Sequence, residues 1–332
     1  MPLPTVAQFT RYVLVVLALL ALALFIGKIL AILLLVFAGI VFAAVIRAIS
    51  TPLQRRTGIP DTWAVGLVSF VFAVLLVGGF YFFGKQVLTQ TEELWSAIQV
   101  AWEKIQERVG ESPAATSVLE SLKAATGGEE AMRKVAKGTF TAFGGIGDLI
   151  LVLFLAVYLA ADPATYRNGV LMLLPKDARP RVGDAFDAAG VALKKWLLGQ
   201  LGAMTFVGVI TALGLWLAGV PLAIPLGILS GVLDFVPVIG PLVAAIPGVL
   251  IAFAQGPEVA LYAVIVYVAV QFVEGHVVIP LAQKWAVSMP PALALVAIVV
   301  FGVVFGLPGV LFALPLTVVA MVMVKKLYVE RL

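Results

Sequence analysis

Cysteine is absent and histidine occurs once, as His276. Together these scarcities remove thiol nucleophiles, disulfides, iron–sulfur clusters and any zinc site built on several His or Cys ligands. Charge is also scarce: Asp, Glu, Lys and Arg make up 12% of the chain, against about 25% in soluble proteins. A water-facing surface cannot be built from so few charges. What is present instead is apolar, 62% of residues, with a mean hydropathy of +1.12. These residues fall in runs near the roughly 20 that a helix needs to cross a bilayer core. The fold class this predicts is an all-α integral membrane protein whose main partner is the lipid bilayer. The net charge of +4 comes from short basic clusters between apolar runs, the distribution of the positive-inside pattern, so nucleic acid is not an expected partner.

The pass along the chain predicts five regions. Residues 1–84 hold transmembrane helices 1 to 3. The first two apolar runs, 12–26 and 29–46, are expected to form a tight hairpin at Gly27 and Lys28, and Arg47, Arg55 and Arg56 then place the N-terminus in the cytoplasm. Residues 85–140 carry charges of both signs and read as an extracytoplasmic helical loop. A heptad-like stripe through Trp95, Ile98, Trp102 and Ile105 suits packing on its own protomer, the membrane surface, or another subunit in a homo-oligomer. Helix 4 occupies 141–161 and stops at Asp162-Pro163, because proline disfavours helix at the residue before it. Residues 162–198 read as a cytoplasmic amphipathic segment on the inner membrane face, with an apolar stripe of Phe186, Ala189, Leu193 and Trp196 and with basic residues such as Lys194 and Lys195 that suit anionic headgroups.

Residues 199–332 read as the core region, interrupted by proline and glycine too often for straight helices. The runs 222–234 and 242–254 are short for spans and predict a broken or re-entrant helical pair turning over 236–241. Counting that pair as re-entrant gives about eight spans and a cytoplasmic C-terminus beside Lys325 and Lys326. Helix breaks fall at Pro247, Pro280, Pro308 and Pro315. An internal echo links Gly240-Pro241 and Ala245-Ile246-Pro247 to Pro308-Gly309 and Ala313-Leu314-Pro315, with the same internal offset. Paired interruptions of this kind point to a transporter binding site.

Asp234 is the leading candidate residue. At a helix centre an Asp costs roughly 2.5 to 3.5 kcal/mol on insertion scales, so it should face a cavity, find a partner, or cap the broken helix. Beside it, Pro237, Gly240 and Pro241 interrupt the helix and free backbone groups for a solute or cation. A second cluster is Gln271, Glu274 and His276. Gln271 and Glu274 share a helix face, and a cavity holding both Glu274 and His276 would support proton coupling. A solvated turn at the membrane interface is the bland alternative. Gly144-Gly145-Ile146-Gly147 lacks the Lys-Ser/Thr of a phosphate loop, and no Walker motif supports ATP use. Nor is there a Ser/Lys, paired-aspartate or metal-ligand arrangement of an intramembrane enzyme, and no motif requires a cofactor.

The runs GILSGVLDFVPVIGPLVAAIPGVLIAF, QFVEGHVVIPLAQKWAVSMPPALAL and FGLPGVLFALPLTVV, with Gly199-Gln200 and Gly219-Val220-Pro221 before them, carry a resemblance. The chain resembles the autoinducer-2 exporter family of bacterial and archaeal membrane proteins, most strongly over 196–325. The resemblance implies about eight helices, a sizeable loop between the third and fourth, an oligomer, and secondary transport across a prokaryotic inner membrane. Members have been linked to export of a furanone-type quorum signal, and others resemble sodium/proton antiporters. After Gly275 many members carry a small polar residue where this chain has His276. The expected activity is thus export of a small solute such as autoinducer-2, possible coupling to protons included. The alternatives are Na+(Li+)/H+ antiport and a non-transporting scaffold built on the outer helical loop.

Overall fold

The computed structural model describes residues 6–78, 146–236, 239–283 and 289–331, and among these every regular element is a helix. In hydrocarbon each backbone N–H and C=O must be satisfied within the chain, which the helix alone does locally. Trp95, Ile98, Trp102 and Ile105 of the expected oligomer contact lie outside the described residues, as does Pro237.

Helix α1 (Val6–Thr57) is continuous through Gly27 and Lys28, so the expected hairpin is not formed. One glycine costs a helix only about 1 kcal/mol, and no proline or turn pair stands at 27–28 to force a reversal. With the hairpin goes the ground for placing the N-terminus beside the arginines. The rod, at 1.5 Å per residue about 78 Å long, ends where Gly58 takes φ 71° and its N–H donates to the Gln54 carbonyl, a left-handed cap. α2 (Asp61–Gly78) follows.

α3 (Ile146–Ala161) and α4 (Pro163–Met172) meet at 91° across Asp162, bearing out the stop read at Asp162-Pro163. The Asp162 carboxylate accepts from the Thr165 N–H at 3.2 Å and caps α4. Arg47 ties the first three helices together. Its guanidinium donates to the Ala160 and Ala161 carbonyls at the end of α3 and to both oxygens of Asp61 at 2.8 Å. The fork thus neutralises a carboxylate and satisfies carbonyls that a helix C-terminus leaves open.

α5 (Arg179–Leu217) is a single 39-residue helix that runs through the boundary expected at 198. Its stripe is covered by protein, because Leu193 and Leu197 share a core with Leu34, Val41 and Val152. It ends in a Schellman motif: the Gly219 N–H (φ 74°) reaches the Trp216 carbonyl and the Val220 N–H reaches Leu215. Val220 then buries against Leu215 in the next core.

Two short helices, α6 (Ala223–Leu233) and α7 (Ile239–Gln255), form the expected broken pair. α6 packs on α5 through small residues. A Cβ on Gly227 would stand 2.5 Å from the Gly208 carbonyl oxygen, and one on Gly231 would stand 2.6 Å from that of Met204. This is the close backbone approach that small residues at four-residue spacing permit between membrane helices. α8 (Pro257–Val273) continues through a π turn, Glu274–Val278, into α9 (Ile279–Gln283). Pro280 therefore does not end this element. The π turn absorbs it, with the Ile279 N–H donating to the Glu274 carbonyl five residues back.

α10 (Pro291–Leu327) is interrupted at Gly306, whose φ of 64° and ψ of −145° are non-helical. The chain reverses there. A Cβ on Gly302 would lie 2.9 Å from Val310 Cγ2, residues that a straight helix would hold about 12 Å apart. Ala297 and Ile298 likewise share a core with Ala313 and Leu314. By length and apolarity five helices can cross a membrane, or six with α3 and α4 taken as one span. That is the count among the described residues, where eight spans were expected. Large apolar side chains such as Phe70, Phe154, Ile265 and Val299 stay exposed, as a lipid-facing surface requires.

Two stability predictions follow from these contacts. Arg47→Met leaves Asp61 and two carbonyls without their donor and should cost about 1–3 kcal/mol, with Arg47→Lys only partly restoring it. Thermal unfolding in detergent reads both. Gly227→Leu forces α5 and α6 apart and should destabilise by more than about 3 kcal/mol, the upper range for simple overpacking, whereas Gly202→Leu, at a position with open space around it, should be tolerated.

Candidate functional site

Several polar residues of this apolar bundle, the buried Asp234 and Glu274 among them, converge at the end of α6. Ser230 and Asp234 lie one turn apart on α6, and Tyr267, Gln271 and Glu274 recur at four and three residues on α8, so each set shares one helix face. α5 contributes Gln200, whose Nε2 donates to the Asp234 carbonyl at 2.9 Å. That bond fixes the last turn of α6, where the Asp234 N–H still donates to Ser230.

Asp234 itself is 0% exposed, and neither carboxylate oxygen has a hydrogen-bond partner among the described residues. Its neighbour is the carboxyl of Glu274, 4% exposed and accepting from Gln271 Nε2 at 2.8 Å. Two carboxylates cannot both stay ionised side by side in a low-dielectric interior without a compensating cation or proton. Neither Lys nor Arg makes a salt bridge to either one among the described residues.

The backbone around the pair is irregular in two places. Glu274 opens the π turn, a feature that concentrates at functional sites. On the other side the chain leaves the helix after Leu233 and resumes it at Ile239. Gly240 sits against the Leu233 carbonyl and its own N–H donates to Val236 at 2.8 Å. No side chain fits there, so glycine is required for the returning arm to come so close. Pro241 follows in the first turn of α7, half-buried.

Asp234, Gln271 and Glu274 are thus brought together as a group, with Gly240 and Pro241 at its edge. His276 is not. Two residues on from Glu274 it faces the opposite way, exposed, with its ring stacked on Phe272 at 4.2 Å and Nδ1 2.9 Å from the Phe272 carbonyl. A shared Glu274–His276 cavity is therefore absent. Pro247 and Pro315 lie inside α7 and α10, and Pro308 begins the returning arm of α10. Ser230 and Tyr267 were missed. The signal for them was spacing, since Tyr267 lies one turn before Gln271 and Ser230 one turn before Asp234. The Tyr267 hydroxyl is buried and rests against Gly248, beside Ser230.

Comparison with known proteins accords with this arrangement. The family model described as AI-2E family transporter matches residues 13–328. YrrI of Bacillus subtilis, named as a candidate transport protein, is 31% identical over 51% of this chain and 48% of its own length. YueF of the same organism is 26% identical over 70% of this chain and 62% of its own. The MT0215 protein of Mycobacterium tuberculosis is 30% identical over 78% and 73% respectively. The chain thus spans about half to three-fifths of the first two of these curated relatives. The family match extends over nearly all of the sequence, carboxylate pair and both glycine-proline breaks included, and the chain belongs to the AI-2E transporter family.

Proposed function

We propose that the protein is a proton-coupled secondary transporter in which Asp234 and Glu274 form the exchanging site. The observation that carries this reading is the pair itself: two buried carboxyl groups side by side, with no lysine or arginine paired with either among the described residues. Ionisable groups of this kind inside membrane segments mark ion and proton paths. Burying two adjacent carboxyl groups costs stability even when they share a proton, and their retention supports a role for the pair.

The cargo proposed first is a small solute such as the furanone signal autoinducer-2, leaving the cell as protons enter. Support for it is the family membership and the transport or permease names of the relatives. Exchange of sodium or lithium for protons is a second reading, favoured by the donor set. Carboxylate, carboxamide and hydroxyl oxygens are hard ligands suited to small hard cations, and a broken helix adds carbonyl oxygens.

The membrane proposed is the plasma membrane of a prokaryote, with the basic end of the bundle in the cytoplasm. Arg179 donates to the Met172 and Leu174 carbonyls, and Arg181 donates to Leu327 beside Lys325 and Lys326. The start of α5, the end of α4 and the C-terminal helix therefore share that end.

Reconstituted vesicles containing a pH-sensitive dye test the proposal. With an imposed proton gradient, addition of sodium, lithium or the signal molecule should change internal pH, and Asp234→Asn and Glu274→Gln should each reduce the response to that of empty vesicles. Retained transport in both variants would remove the pair from the mechanism. Asp234→Asn should also unfold at no lower temperature than the parent, because it replaces an unpartnered carboxylate by a neutral group of the same shape.

A further inference from the structure

Position along α5 orients the two helical hairpins. For the first, Gly227 meets Ala212, Gly231 meets Met204 and Gly208, the Asp234 carbonyl meets Gln200, and Phe235 packs edge-on against Trp196 at 6.2 Å. Rising numbers on α6 thus match falling numbers on α5, and the first hairpin reaches the level of Trp196 to Gln200 from the C-terminal end of α5. For the second, the Leu327 carbonyl meets Arg181 and Phe312 shares a core with Leu193 and Leu197. Its returning arm therefore climbs from the opposite, basic end, and at 1.5 Å per residue on both helices Gly306 arrives within about two turns of Gln200. The hairpins are inserted head to head on one helix.

They also reverse by the same device. Gly240 rests against the Leu233 carbonyl and Gly309 against the Phe301 carbonyl, each at the start of a returning arm with no room for a Cβ. These are the two places joined by the glycine-proline echo. Trp196 touches both hairpins, since its ring packs on Phe235 of the first and against the Ala297, Ile298, Ala313 and Leu314 core of the second. Among the described residues the second tip is held from one side: Val303 is 83% exposed and Gly306 is exposed between its half-buried neighbours.

We infer that the α10 tip around Gly306 is the element that closes the carboxylate site toward the basic end of the bundle, with Trp196 the positioning residue between tip and site. The inference rests on the reading of Asp234 and Glu274 as the transport site. A cargo passing between the site and the basic end must cross the level of Trp196, where the second hairpin stands. Two hairpins entering from opposite ends give one closing element for each exit, which alternating access requires. Gly306 suits the moving part because its dihedral angles are open to glycine and strained for any other residue.

The absence of cysteine makes the test direct. Phe305→Cys and Leu307→Cys are each reconstituted, and the rate of labelling by a membrane-impermeant maleimide is measured from the side of the basic end, with and without sodium or lithium or an acid pulse. The expected result is a severalfold change in labelling rate on adding whichever probe the same vesicles transport, lost in an added Asp234→Asn background. A labelling rate indifferent to every probe, in vesicles that still transport, overturns the role of the tip and leaves the carboxylate site standing. No transport by the parent chain overturns the site reading instead. Gly306→Ala supplies a second readout. If it remains folded and keeps probe-triggered proton release but loses transport, the tip acts in passage; if it transports as the parent does, the inference is wrong. Trp196→Phe should slow transport while leaving that proton release unchanged, and equal loss of both would make Trp196 merely structural.

Discussion

Asp234, fully buried beside Glu274 and without a hydrogen bond of its own among the described residues, is the constraint around which the core region is arranged. A carboxyl group in hydrocarbon costs several kcal/mol unless protonated or matched by a cation. The surrounding structure keeps it in place without neutralising it. Gln200 takes its carbonyl and Gln271 takes the neighbouring carboxyl, while Asp234's own carboxyl stands against that of Glu274. In the proposed function the pair exchanges a proton or cation because no lysine or arginine among the described residues is committed to it.

Holding that group requires close backbone packing rather than large side chains. The glycines of α6 let it lie directly on α5, which fixes Asp234 opposite Gln200. The glycines at 240 and 309 let each hairpin fold back within a helix diameter. The glycine and proline content of residues 199–332 thus follows from geometry: interrupted helices supply unpaired backbone groups and short arms, both of which a site inside a membrane uses. At the other end, Arg47 and the α3–α4 elbow form a rigid anchor in which a full guanidinium fork is satisfied.

Much of this was legible from residue types. Apolar runs predicted the all-helical class, Asp162-Pro163 the helix stop at which α3 and α4 meet at 91°, and Asp234 among apolar neighbours a carboxyl group deep in the bundle, where the structure buries it. Adjacency of Asp234 and Glu274 was not legible as a contact, because it depends on how α6 and α8 pack across forty residues of sequence. His276 was misplaced for a local reason: residues two apart on a helix face opposite ways, and the π turn does not change that. The hairpin expected at Gly27 failed because a glycine permits a turn without requiring one, whereas Gly306 is held at a positive φ by the contacts of both arms. Ser230 escaped notice because a serine hydroxyl on an apolar helix is usually satisfied by its own backbone, as Ser230 is by Leu226, and Tyr267 because its ring fits an apolar face by itself.

The central claim, that the Asp234 and Glu274 pair exchanges protons for cargo, is tested most directly by counting protons in detergent solution without a membrane or gradient. Purified protein in weakly buffered solution is mixed with lithium, sodium or the signal molecule while pH is recorded. The account predicts a stoichiometric proton change on adding the cargo, absent in Asp234→Asn. A response of equal size in that variant, or none from the parent with a cargo it demonstrably transports, would contradict it.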